Sequence, residues 1–172
     1  VYQYEEDHVT LEELLQGDHG KSKVKDFNNS SKTAVMYGIA HGLSCLHNYG
    51  IAHHHLSTSN IIINIKTKDV KLIDYEISPE IVNKNLKDIY FLVDVPGPSG
   101  NSFADDIFSL ALIYFEMATG MKKSFDTSED FNNLSSNLRL VMSKMFCPDI
   151  NERPQIDEIL YLIKAGNFVI YN

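Results

Sequence analysis

Residues 51–60 concentrate side chains able to do chemistry: Ile51-Ala52-His53-His54-His55-Leu56-Ser57-Thr58-Ser59-Asn60 sets three histidines beside hydroxyls and a terminal asparagine. Imidazole is basic near neutrality, so His55 is able to accept a proton. Consecutive histidines also invite a metal. Neighbours on an extended loop point in different directions, however, and no Cys, Asp or Glu completes a ligand set, so we read them as loop residues. Further along stands Asp74-Tyr75-Glu76. Asn60 and Asp74 are both turn-favouring types, and each is compatible with a plain loop-capping role.

The elements that must position this loop are helical before it and extended after it. Over residues 33–47 apolar side chains fall at Val35, Met36, Ile39, Ala40, Leu43 and Leu46, the spacing of an amphipathic helix that Asn48-Tyr49-Gly50 closes. Beyond the loop, β-branched runs at 61–65 and 70–73 are joined by Lys66-Thr67-Lys68-Asp69 and predict a hairpin leading into Asp74. Asp105-Asp106 open a helix over 104–119 that is apolar almost all round from Ile107 and stops at Gly120, which predicts the central buried helix. Amphipathic helices at 134–146 and 156–164 follow. At the other end, residues 1–4 alternate like the end of a strand, Thr10 caps a short helix through Leu15, and the polar stretch 16–32 reads as a loop. Residues 78–102, with Pro79, Pro96, Gly97, Pro98 and Gly100, read as an irregular excursion.

The reading is therefore a mainly α domain with a small β-hairpin. Phe103, Phe108, Tyr114 and Phe115 are expected in the core, and Glu116 is expected to cap or pair at a helix end. The acidic groups Glu5-Glu6-Asp7 and Glu12-Glu13 are expected to form a solvated face. Cys45 and Cys147 follow no metal spacing and sit in apolar helical segments, so both are expected as reduced core residues.

A chain of 172 residues, 44% of them apolar, can bury one sizeable core, and nothing in its length asks for a second domain. The net charge of -8 disfavours nucleic acid and anionic membrane, where phosphate neutralisation supplies most of the affinity. A protein or nucleotide partner fits better. The longest apolar stretch, 107–118, is interrupted by Ser109 and Glu116 and is too short to span a bilayer. We expect a soluble, cytoplasmic protein, and a start at Val1 suggests a piece of something longer.

On residues 51–60 and 74–76 the chain resembles the protein kinase family, whose catalytic loop reads H-R-D-L-x-x-x-N and whose metal-binding turn reads D-F-G, and the resemblance runs over nearly the whole chain. In that family the loop aspartate accepts the substrate proton, and the loop asparagine and turn aspartate hold magnesium against the phosphates of ATP. Carried over, the resemblance keeps Asn60 and Asp74 as nucleotide-magnesium remnants. It puts His55 where the aspartate belongs, His54 for the arginine, Ser57 for the lysine and Glu76 for the glycine. Asp106-Ile107-Phe108-Ser109-Leu110-Ala111 is similar to the D-x-W-S-x-G opening of the family's central helix, and Arg153-Pro154 to the arginine that pairs with the A-P-E glutamate. That tripeptide is here Val95-Pro96-Gly97, within a degenerate activation segment at 74–97 whose hydroxyl candidates for phosphorylation are Ser78 and Tyr90.

The resemblance implies the C-terminal, helical lobe of a pseudokinase, with residues 1–4 as the inter-lobe hinge and the N-terminal lobe lacking. It implies structural roles for His53, Tyr75, Asp106 and Arg153, and ATP and magnesium as cofactors only of the complete domain. Residues 55–60 and 73–78 are similar to the degenerate domain of the general amino-acid-control type of initiation-factor-2 kinase. The expected function is non-catalytic regulation of a kinase domain, in cis or in trans. The alternatives are a divergent Ser/Thr kinase and a truncated kinase-lobe decoy.

Overall fold

The computed structural model describes residues 7–16, 27–75, 102–120 and 128–166. The expected hinge strand at 1–4 lies outside these residues, as do Glu76, Ser78, Tyr90 and Val95-Pro96-Gly97 of the activation segment. Along the chain run β1 (His8–Thr10), α1 (Leu11–Gln16), α2 (Asn29–Asn48), a 3-10 turn (Thr58–Asn60), β2 (Ile61–Asn64) and β3 (Val70–Leu72). Then come α3 (Ser102–Thr119), α4 (Ser128–Asn133), α5 (Ser136–Met145), a second 3-10 turn (Ile150–Glu152) and α6 (Ile156–Lys164).

The mainly helical expectation holds, with two corrections at its edges. The hairpin belongs to a three-stranded antiparallel sheet in the order β1-β2-β3, because residues 8–10 pair with 62–64. Thr10 both ends β1 and caps α1. Its Oγ1 accepts from the Glu13 amide at 3.1 Å while the Glu13 carboxylate accepts from the Thr10 amide at 2.9 Å, a reciprocal capping box that gives Glu13 more than a solvated role. The second correction is that α2 starts inside the stretch read as loop, at Asn29, because the Asn28 side chain accepts from Ser31 N and supplies an N-cap.

At its other end α2 stops as the sequence predicts. Gly50 has φ 76°, its amide bonds to His47 O, and the Ile51 amide reaches back to Leu46 O. This is a Schellman ending, and it swings the chain directly into the histidine loop.

Two glycines let the sheet lie on this helix. A Cβ on Gly38 would stand 2.7 Å from Val70 Cγ2, and one on Gly42 would stand 3.2 Å from the Leu72 side chain. The β3 strand therefore rests almost on the α2 backbone. The opposite face of α2 packs on α6, where Ser44 Oγ donates to Asp157 at 2.6 Å. The fully buried Tyr114 of α3 donates its hydroxyl to Met36 O at 2.7 Å, and burial raises its pKa well above the ordinary phenol value.

Four residues expected in the core lie at its edge or outside it. Cys45 is exposed on α2 and Cys147 half-buried, because the buried stripe of α2 runs through Val35, Ile39, Leu43 and Leu46 and leaves residue 45 outside it; both thiols are free. Phe103 is 38% exposed and lies against the His47 ring, with centroids 4.6 Å apart, because the first turn of α3 projects beyond the core. Phe108 is half-buried, packed edge-on to Phe146, while Tyr114, Phe115 and Glu116 are buried.

Candidate functional site

Asp106 stands in the first turns of α3 and is 1% exposed. A buried carboxylate is costly unless it is hydrogen-bonded, and this one is well supplied. Oδ2 accepts from the His53 amide at 2.7 Å and lies 2.9 Å from His47 Nε2, while Oδ1 accepts from the His54 amide at 2.9 Å. One side chain thus fixes two consecutive backbone amides of the loop. Charge-assisted bonds of this kind are the strong ones.

That grip explains the loop's shape. His55 N donates to His53 O at 2.8 Å, closing a γ-turn with His54 at its centre and φ 63°. This is the strained hand of the turn, and a non-glycine residue there costs on the order of 1–3 kcal/mol. The Asp106 bond to the His54 amide holds it in place. His54 and His55 are left exposed while His53 points inward and is fully buried.

His53 packs edge-on to Tyr75, centroids 5.9 Å apart, beneath the turn that follows β3. Among the described residues neither of its ring nitrogens has a hydrogen-bond partner. Burial lowers its pKa, against an opposing pull from Asp106. It is a neutral packing residue near pH 7.

The exposed end of the site is built by the hairpin. The antiparallel register pairs Ile61 with Leu72, and the Ile73 amide continues the ladder to Asn60 O at 3.0 Å. Asn60 and Asp74 are thereby brought to the same end of the sheet. Asn60 Nδ2 donates to His55 O at 2.8 Å, so the amide staples the loop and turns Oδ1 outward from that bond. Asp74 is exposed with φ 58°, a left-handed conformation that Asp tolerates better than most residues. Ser57 Oγ pairs with Ser59 Oγ at 2.9 Å.

Magnesium takes hard oxygen donors, commonly one or two carboxylates completed by water and phosphate. The Asp74 carboxylate and Asn60 Oδ1 are oxygen donors of that type and would be the residues to hold such an ion. When bound with a nucleotide, the ion would neutralise phosphate charge. His55 offers no anionic oxygen to it. No three His, Cys, Asp or Glu side chains among the described residues converge as a metal cage, the histidine run included.

Arg153 makes none of these contacts. Its guanidinium donates to Cys147 O at 2.9 Å and to Ala104 O at 2.8 Å, approaches Asp105 at 3.4 Å and lies 5.0 Å over the Phe108 ring. It joins the exit of α5 to the start of α3.

The fold brings His53, His54, His55, Asn60, Asp74, Tyr75 and Asp106 together, and leaves Arg153 outside their contacts. Sequence reasoning missed His47. The signal was present, because His47 lies one turn beyond Leu43 on the apolar stripe of α2, and a polar residue on such a stripe requires a partner.

The family model described as protein kinase domain matches residues 1–162. The chain belongs to the protein kinase family. It is 24% identical over 180 residues to the serine/threonine-protein kinase PLK4 of Xenopus tropicalis, covering 96% of this chain and 18% of that protein. It is 28% identical over 176 residues to the serine/threonine-protein kinase/endoribonuclease IRE1a of Arabidopsis thaliana, covering 88% of this chain and 21% of that protein. A probable serine/threonine-protein kinase of Dictyostelium discoideum is 28% identical over 144 residues, covering 71% of this chain and 22% of the relative. The chain spans about a fifth of the length of these curated relatives. Among the described residues no helix is long and apolar enough to cross a membrane.

Proposed function

We propose that this chain is the helical lobe of a pseudokinase, and that it regulates a kinase domain, in cis or in trans, without transferring phosphate. One observation carries the reading: in the order of the H-R-D-L-x-x-x-N motif His55 falls at the position of the catalytic aspartate, on a loop whose backbone is held by Asp106 and Asn60. A positioned general base is worth roughly 10²- to 10⁴-fold in rate. Imidazole supplies a base without the negative charge that the electrostatics around magnesium require. The mainly helical fold with its small sheet supports the helical-lobe assignment, and the stretch 55–60 supports the likeness to the amino-acid-control kinases.

Transfer of labelled phosphate from ATP by the full-length protein, beside its Asp74→Ala variant, tests this. Background incorporation by both is the expected result. Incorporation by the wild type that disappears in the variant would overturn the reading.

The second reading is a divergent Ser/Thr kinase in which His55 serves as base. The retained pair Asn60 and Asp74 favours it, as do relatives named as serine/threonine kinases. A thermal shift with ATP and magnesium that Asp74→Ala abolishes would support a nucleotide role for that pair. No shift would reduce both residues to structure.

A further inference from the structure

Between the end of α2, the start of α3 and the start of α6 lies a cleft of about 420 Å³, lined in part by His47, the residue that bonds Asp106. That volume is within the range of ligand-binding pockets. Ile107 and Ile156, 2% and 4% exposed, line it from the core, while Phe103 and Ile150, 38% and 39% exposed, stand at its edges. Asn48, Asn151 and Gln155 are exposed along it and can each donate and accept, as a peptide backbone requires.

Charge selects the occupant. Asp157 lines the cleft with one oxygen engaged by Ser44, and Asp149, Glu152 and Glu158 are exposed on the same turn and helix start. Among the described residues that line the cleft, the permanent cation is Arg153, and it is already engaged by Asp105 and two carbonyls. His47 also lines the cleft, and its Nε2 bonds the same Asp106 oxygen that holds the His53 amide.

We propose that the cleft docks a basic, apolar-tipped peptide segment of a partner protein, and that its occupancy reaches the loop through His47 and Asp106. An apolar side chain would enter between Phe103 and Ile150, with a flanking Lys or Arg facing Asp157. Complementary charge gives register and on-rate, and the buried apolar anchor gives most of the residence time. The proposal deepens the reading of the chain as a partner-bound regulator, yet docking can fail in a catalytically silent chain and can succeed in an active one, so the two are tested apart.

The probe is a fluorescein-labelled peptide with two arginines followed by leucine and phenylalanine, titrated with the full chain by polarisation. The control replaces the arginines with glutamates. Saturable binding of the basic peptide is expected, weakened roughly tenfold or more by Ile150→Ser and by Asp157→Asn, and weakened by salt. The amide oxygen introduced by Asp157→Asn can still accept from Ser44, and both altered positions are exposed, so the variants should fold; their circular dichroism checks this. In histidine-labelled protein the His54 ring signal should shift on binding and stay still in Ile150→Ser. Equal affinity for the acidic peptide, binding indifferent to both variants, or no saturable binding would overturn the docking site. Self-association of the chain that Ile150→Ser abolishes would assign the cleft to a second copy instead. Binding that leaves His54 unmoved would overturn the transmission.

Discussion

Two carboxylates lie near the buried His53, and they could hardly be treated more differently. Asp106 is buried and accepts from two backbone amides while lying against His47. Asp74 is exposed and held in a left-handed backbone conformation. The first is what stability selects: a buried charge that is tolerable only because both its oxygens are hydrogen-bonded. The second is what stability alone would not select, an exposed acid on a costly φ. Function is sought at the second kind of residue, and the first kind keeps it in place.

The largest loss of stability is expected at the buried carboxylate. Asp106→Ala removes the acceptor for two loop amides and leaves His47 without its partner, a loss of about 3 to 5 kcal/mol by analogy with breaking buried pairs. Urea unfolding should show either that drop or no cooperative transition. A loss below about 1 kcal/mol would mean that water satisfies the loop amides equally well.

The next effect tests what aligns the two halves. Glycine in a helix ordinarily costs about 1 kcal/mol relative to alanine. At Gly38 alanine should nevertheless destabilise, by about 1 to 2 kcal/mol, because its Cβ would meet the stiff, branched Val70 at 2.7 Å from Cγ2 and 3.0 Å from Cβ. Gly42→Ala is the internal control. It would meet only the Leu72 side chain at 3.2 Å, which can shift, so a change near zero is expected there. Equal losses at the two sites would contradict this account of the helix-to-sheet approach.

How far the sequence reveals these features follows from the range of the forces involved. Local signals were sufficient for α6, read at 156–164 and found at Ile156–Lys164, and for the Gly50 stop of α2. The hairpin runs at 61–65 and 70–73 were legible too, but β1 was not: His8–Thr10 is three residues of ordinary polarity whose strand character comes only from pairing with residues 62–64. At the site, the motif spacing located Asp106 and the loop. His47 and the outward placement of Cys45 depend on how α2 is rotated against its neighbours, which one apolar stripe fixes only to within a residue or so.

A smaller effect concerns pH and the buried half again. Burial depresses the pKa of His53, so in the folded state it binds a proton less readily than in the unfolded chain. The unfolded state therefore holds more protons as pH falls below about 6.5, and the contribution of neutral His53 is complete above that pH and lost below it. Urea midpoints should decline from pH 7 to pH 5 more steeply in the wild type than in His53→Leu. Parallel declines would assign the acid limb to other groups.

The smallest effect on stability falls on the exposed half, where it is most informative. Asp74→Gly relieves the positive φ but gives the unfolded chain more freedom, and the two terms nearly cancel to within about 0.5 kcal/mol. The same substitution deletes the one carboxylate of the donor pair with Asn60. Unchanged urea stability together with loss of any ATP-magnesium thermal shift would separate a ligand residue from a structural one, which an alanine variant confounds with its own strain at φ 58°. A large stability loss in Asp74→Gly would instead make Asp74 a second structural anchor and remove the contrast with Asp106.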